Sequence, residues 1–107
     1  MPVIQTNTPI ITQINLFDVE IGKQWELINY LADAAAVAKE VDGWISASLH
    51  RSLDGSKVVN YAQSADAAAA ERVIRHLMDH GLIQGNRSFG TAHPGLYEVA
   101  FTLMRDA

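Results

Sequence analysis

The sequence of 107 residues contains no cysteine. This absence excludes a disulfide, a thiolate metal site and a cysteine nucleophile, and it permits a reducing compartment. No apolar run reaches the ~18 residues that a membrane-spanning helix needs, and the N-terminus lacks the basic start, apolar core and cleavage site of a secretory signal. We therefore expect a cytoplasmic protein with no membrane partner.

Positive charge is also scarce, because 8 Lys and Arg stand against 12 Asp and Glu, which gives a net charge of −4. The basic residues form no run that could follow a phosphate backbone, so nucleic acid is not expected as a partner. Hydrophobic residues make up 49% of the chain and charged residues 19%, a composition typical of globular rather than disordered proteins. The length favours one domain over residues 1–107.

Apolar periodicity predicts the helices and strands. The predicted strands are 10–19, 44–52, 57–63 and 96–104, and the predicted helices are 23–41 and 65–80. An Asp54-Gly55 pair separates the two central strands, which is a strong hairpin signal. The glycine-rich segment 81–95 is predicted to be a loop.

The resulting order, βαββαβ, is the ferredoxin-like motif of the α+β class, an antiparallel sheet with both helices on one face. The last predicted strand has apolar residues on both faces, with Phe101 and Leu103 on one face and Leu96 and Met104 on the other. The sheet face without helices therefore needs a cover. A homodimer is the expected solution.

The segment Val41–Gln63, VDGWISASLHRSLDGSKVVNYAQ, resembles the antibiotic biosynthesis monooxygenase family, and the strand order extends the resemblance over roughly the whole chain. The resemblance implies a dimeric α/β barrel in which two sheets pack face to face. It also implies oxygenation of a small aromatic or polyketide-like ligand by dioxygen, without metal, flavin or other cofactor. Some relatives degrade haem, which is a further alternative.

In the quinone-forming members of this family, the motif NYAQ is followed by Trp, and a Tyr comes six residues later. This chain has Ser64 and Ala70 at those places but retains Asn60. The alternative to an enzyme is therefore a non-catalytic small-molecule-binding or scaffold dimer of the same fold. For an enzyme, the candidate catalytic residues are Asn60 and His50, and the candidate substrate-binding residues are Ser64, Ala70, Trp44, Tyr30, Arg87 and Phe89.

Each candidate also has a purely structural explanation. Asn60 is polar on an apolar strand face, where it either bonds to backbone or orients a substrate oxygen. His50, predicted to share a strand face with Trp44, is either an acid or base near neutral pH or a surface residue. Arg87 either binds an anion or is a solvated loop residue.

The replacement of two aromatic rings by Ser64 and Ala70 leaves space that other side chains must fill or that stays open as a cavity. Trp44, Tyr30 and Phe89 are the candidates to fill it. Ser64 or Asp66 is expected to cap the second helix by accepting a hydrogen bond from an unpaired amide of its first turn.

Two histidines, His76 and His80, have the four-residue spacing of metal ligands on a helix. The sequence places no third ligand beside them. No metal site is therefore expected.

Overall fold

The computed structural model describes residues 2–85 and 89–106, which form one antiparallel sheet with helices. The elements in chain order are β1 (Ile11–Val19), α1 (Gln24–Ala38), β2 (Trp44–Arg51), β3 (Lys57–Ser64), α2 (Ala67–Asp79), α3 (Leu82–Gly85) and β4 (Gly90–Tyr97). The strand order across the sheet is β2-β3-β1-β4. This arrangement confirms the predicted α+β, ferredoxin-like fold class.

The core lies between α1 and the centre of the sheet. Phe17 on β1 and Val58 on β3 are fully buried against Leu27 and Leu31, which are one turn apart on α1. Burial of an apolar side chain of this size stabilises the fold by roughly 1.5–3 kcal/mol. Among the described residues, no helix is long and apolar enough to cross a membrane.

The hairpin between β2 and β3 forms at the predicted Asp-Gly pair. Oδ1 of Asp54 accepts hydrogen bonds from the hydroxyl and the backbone amide of Ser56, at 2.7 and 3.0 Å, and from the hydroxyl of Ser52 at 2.8 Å. Led by the Ser56 hydroxyl, these bonds stabilise the carboxylate and lower the pKa of Asp54 from 3.8 to about 2. The turn is therefore specified by its own side chains.

A buried amide joins the start of α1 to the hairpin. Gln24 Nε2 donates to the backbone oxygens of Ser52 and Lys57, at 3.0 and 2.8 Å, and lies 3.2 Å from the Ser52 hydroxyl. Both backbone oxygens belong to the base of the hairpin. Gln24 thus links the start of α1 to the hairpin.

The first turn of α2 is capped and closely packed. Asp66 Oδ1 accepts a hydrogen bond from the Ala69 amide at 2.8 Å, which confirms the predicted cap at one of the two candidate residues. Ala69 and Ala70 are buried, and Gly43 lies so near that a Cβ built there would be 2.6 Å from the Cβ of Ala69. The alanines therefore allow α2 to approach the start of β2.

The last third of the chain differs from the prediction. Residues 81–95, predicted as a loop, contain α3 and most of β4, and the last strand is Gly90–Tyr97 rather than 96–104. The glycine and proline content hid this strand. Pro94 is tolerated because β4 is an edge strand, where a residue without an N–H need not break the ladder.

The register explains why the strand ends where it does. Tyr97 pairs with Thr12, and β1 begins at Ile11, so residues beyond Tyr97 run past the end of their partner strand. Phe101, Leu103 and Met104 are 77%, 85% and 86% exposed. The alternation noticed in 96–104 is real, but β1 offers no backbone for most of it to pair with.

Candidate active site

A small cavity lies between the sheet and the helices. We call it the inner cavity; it has a volume of about 40 Å³, and its lining includes Gln13, Asn15, Trp44, Asn60, Leu82 and Ile83. The rest of its wall is apolar side chains of α1, α2 and the strands. A space of this size holds a few water molecules but no aromatic ring, since a cavity that binds benzene measures about 150 Å³.

A larger cavity adjoins it on the side of β4. This outer cavity measures about 580 Å³ and is lined by Ile74 of α2, residues of β4, and Gln13, Asn15 and Ile83. The last three line both cavities, so the two spaces are adjacent there. The outer volume falls within the roughly 300–1,000 Å³ typical of small-molecule sites.

Strand pairing brings the amide side chains together. Asn15 of β1 pairs directly with Asn60 of β3, and Gln13 is two residues along the same strand from Asn15. Because side chains alternate across a strand, all three lie on the face that carries the buried Phe17 and Val58. The face that packs against the helices thus contains a group of amides.

Two of these amides lack partners. The Oδ1 atoms of Asn15 and Asn60 are buried and accept no hydrogen bond from any described residue. Leaving a buried polar group unpaired costs about 1–3 kcal/mol, which a donor on a ligand or a water would recover. The described residues that line the two cavities include no charged side chain. The arrangement suits a neutral ligand that offers hydrogen-bond donors.

A β-bulge directs Trp44 into the cavity that Asn60 also lines. Trp44 pairs with Ser64 whereas Ser46 pairs with Gln63, so the strand has one extra residue between them. The bulge directs Trp44 into the inner cavity, while Ser46 and the residues that alternate with it lie on the opposite face. The sequence contained no clear signal for this bulge.

The expectation that His50 shares a strand face with Trp44 is therefore wrong. His50 is exposed on the face away from the helices, where its Nε2 lies 2.8 Å from the Ser48 hydroxyl. It does not line either cavity. Its catalytic role stays a prediction.

Tyr30 and Phe89 line neither the inner nor the outer cavity. Their ring centroids are 5.2 Å apart, and both pack against the core around Phe17. The Tyr30 hydroxyl donates to the Leu82 carbonyl oxygen at 2.9 Å. Of the three aromatic candidates to fill the space beside Ser64, Trp44 is the one that pairs with it.

The remaining substrate-binding candidates are less directly placed. Ser64 and Ala70 are buried but line neither cavity, so their contact with a ligand stays a prediction. Arg87 lies outside the described residues.

Sequence reasoning missed Gln13, Asn15 and Ile83. The polar residues at alternate places in the apolar run ITQINLF could have indicated the first two.

The helical histidines lie away from these cavities. The ring centroids of His76 and His80 are 4.4 Å apart, and His76 Nε2 is 3.6 Å from a Glu40 carboxylate oxygen. Within the described part of the chain, no three His, Cys, Asp or Glu side chains are grouped to hold a metal ion. The pair connects the end of α2 to the region after α1.

The structure defines a ferredoxin-like protein with cavities between the sheet and the helices. Several similar solved structures are monooxygenases or oxygenases. SnoaB of Streptomyces nogalater, a cofactor-independent oxygenase, is 24% identical with a TM-score of 0.80, over 92% of this chain and 100% of that chain. A monooxygenase from the gene ActVA-Orf6 of Streptomyces coelicolor, in complex with nanaomycin D, is 22% identical with a TM-score of 0.77, over 90% and 92%.

Sequence similarity supports the same resemblance over a shorter span. Tetracenomycin-F1 monooxygenase of Streptomyces glaucescens is 38% identical over 64 residues, which is 59% of this chain and 57% of that protein. No family model matches the sequence. The resemblance of this chain to the antibiotic biosynthesis monooxygenases is thus confirmed, in fold over most of the chain and in sequence over part of it.

Proposed function

We propose that this protein is a cofactor-independent monooxygenase acting on a small aromatic, polyketide-like substrate that carries a phenolic hydroxyl. The observation that carries the proposal is the pair of buried, unpartnered amide oxygens of Asn15 and Asn60 in an uncharged cavity. A phenol O–H is a donor that fits such an oxygen. The names of the similar oxygenases support the reaction class.

The reaction needs no electrons from the protein. A phenol loses a proton to solvent water to give a phenolate. A ring carbon of the phenolate attacks dioxygen, a carbon–oxygen bond forms, and the peroxide takes up a proton from solvent to give a hydroperoxide. Loss of the ring C–H proton with cleavage of the O–O bond then releases water and leaves a quinone. One oxygen atom enters the product, the other becomes water, and the substrate supplies all the electrons.

The side chains would act by binding and orientation. The Asn60 amide N–H group can stabilise negative charge on the substrate oxygen, since preorganised donors act strongly where water is excluded. Asn15 and Gln13 would hold a second polar substituent. Trp44 would contact the substituent that enters the inner cavity. Holding the ring in one orientation towards dioxygen lowers the entropic part of the barrier.

The proposal is tested with anthrone, a three-ring carbon acid whose enol is a phenol. Protein stripped of metal with EDTA should consume one O₂ per anthraquinone formed, faster than the spontaneous reaction, and ¹⁸O₂ should leave one labelled atom in the quinone. A rate equal to that of buffer alone would contradict oxygenation. Binding of anthraquinone without turnover would support the non-catalytic alternative, which the replacements Ser64 and Ala70 favour.

No described cavity-lining residue is a histidine that could reach a haem iron.

We also propose a homodimer joined through the sheet face opposite the helices. Four apolar residues of β1 and β3 occupy this face in register, Ile14 with Tyr61 and Leu16 with Val59, and all are only partly buried by their own chain. The exposed apolar residues of 98–104 add further surface that a second copy could cover. Apolar area of this kind drives association.

A cytoplasmic location and a single domain over 1–107 stay predictions.

A charge at the centre of this face should separate the copies. Val59→Lys is expected to convert a dimer into a monomer of 11.7 kDa in sedimentation at micromolar concentration, because the ammonium group would be buried without a partner. Met78→Lys is the matched control, since Met78 is half exposed on α2, on the other side of the sheet, and should leave the dimer intact. A parent protein that sediments as a monomer would contradict the proposed dimer.

A further inference from the structure

The inner and outer cavities share three lining residues. Gln13 and Asn15 belong to β1 in the sheet, and Ile83 belongs to the short helix α3. The inner cavity of about 40 Å³ also contacts Asn60, whereas the outer cavity of about 580 Å³ does not. The Ile83 side chain therefore lines both the larger space and the smaller one that contacts Asn60.

The position of Ile83 is held by the residues on either side of it. The Tyr30 hydroxyl donates to the carbonyl oxygen of Leu82, and Gly85 lies so close to the same hydroxyl that any Cβ there would overlap with it. Tyr30 is itself packed against Phe89 and the core. Because Tyr30 contacts α3 at both ends, Ile83 has little freedom to move away from the amides.

The two volumes then determine how a ligand can lie. An aromatic ring fits the outer cavity but not the inner one, so only a substituent on the ring edge can pass Ile83 and reach Asn60. We propose that Ile83 is a specificity-determining residue, and this inference rests on the proposed function. Ile83 sets how deeply an aromatic ligand enters the inner cavity. It therefore selects among ligands that bond to Asn60 through a polar substituent, according to the number of fused rings that carry this substituent.

Shortening Ile83 should join the two cavities and favour larger ligands. Two hydroxyquinone probes are compared, 5-hydroxy-1,4-naphthoquinone with two rings and 6,11-dihydroxytetracene-5,12-dione with four. Ile83→Ala should raise the affinity for the four-ring probe relative to the two-ring probe by at least about tenfold, within the 10- to 200-fold range for one methylene in an apolar pocket. The chain has no cysteine that could form an adduct with either quinone.

Tryptophan fluorescence reports the binding directly. Trp25 is 58% exposed on α1, so Trp25→Phe leaves Trp44, which lines the inner cavity, as the single tryptophan. Quenching of Trp44 by each probe gives a dissociation constant without any need for turnover. The measurement therefore separates ligand selection by Ile83 from the proposed oxygenation.

Ile74→Ala is the matched control, because Ile74 lines the outer cavity but not the inner one. It should alter the affinity for both probes by a similar factor. The inference is overturned if Ile83→Ala changes both affinities equally, as Ile74→Ala should, or if the parent protein binds neither probe. Should Ile83→Ala fail to fold, Ile83→Val must shift the same ratio in the same direction by a smaller factor, and no shift would overturn the inference.

Discussion

Gly43→Ala is expected to lower the free energy of unfolding by about 2–4 kcal/mol, from the strain of a side chain at positive φ and from overpacking. Gly43 has a φ of +93°, and its added Cβ would lie 2.6 Å from the Cβ of Ala69 and 3.2 Å from an Arg72 guanidinium nitrogen. The guanidinium can move, but Ala69 belongs to α2 and cannot move without the helix. Urea denaturation of parent and variant measures the difference.

Gly22→Ala separates the two causes. Gly22 has nearly the same φ, +90°, but its two chain neighbours aside, no atom of the described residues lies within 4 Å of its added Cβ. Its replacement should cost only the backbone strain, about 1 kcal/mol. Equal losses in the two variants would mean that the contact between Gly43 and Ala69 contributes nothing.

The packing of α2 against Gly43 also affects the proposed site. Its carbonyl oxygen accepts a hydrogen bond from the Ala65 amide at 2.7 Å, and the next residue is Trp44. The close approach of α2 at Gly43 thus holds the start of β2 against the end of β3. A variant that displaces α2 should also displace the indole that lines the inner cavity.

Asn60→Ala is expected to reduce kcat/KM for oxygenation by about 10²- to 10³-fold, the usual effect of removing one donor that stabilises an oxyanion. The same variant should unfold at nearly the urea concentration of the parent, because the Asn60 Oδ1 atom accepts no bond from the described residues. Steady-state oxygen uptake and urea denaturation measure the two effects. Loss of stability by 1–3 kcal/mol with unchanged activity would instead support a structural role for Asn60.

Gln24→Ala is the matched control for this variant. Gln24 is also a buried amide, 8% exposed, but its Nε2 donates to the hairpin and lies outside both cavities. Its loss leaves the Ser52 and Lys57 carbonyl oxygens without this donor, so stability should fall by about 1–3 kcal/mol while oxygenation is retained. The opposite responses of the two amides would distinguish a ligand-binding amide from a structural one.

Local chemistry made several features predictable from the sequence. The Asp54-Gly55 turn, the Asp66 cap and the buried face of α1 each depend on residues within a few positions of one another, so their patterns are visible in the chain itself. The resemblance over Val41–Gln63 rested on the same local features together with their order. It identified the fold correctly and singled out Asn60.

The tertiary structure alone decided the arrangement of the site. Asn15 and Asn60 meet because β1 and β3 pair across 45 positions of the chain, and the direction of Trp44 depends on a bulge in that sheet. The end of β4 is set by the end of β1 at Ile11, not by the apolar alternation that continues past Tyr97. Ile83 lines the same cavities as the amides, next to Leu82, whose carbonyl oxygen bonds to Tyr30 on another helix. Each depends on contacts between distant segments, whose register and separation are settled only when the whole sheet and its helices pack together.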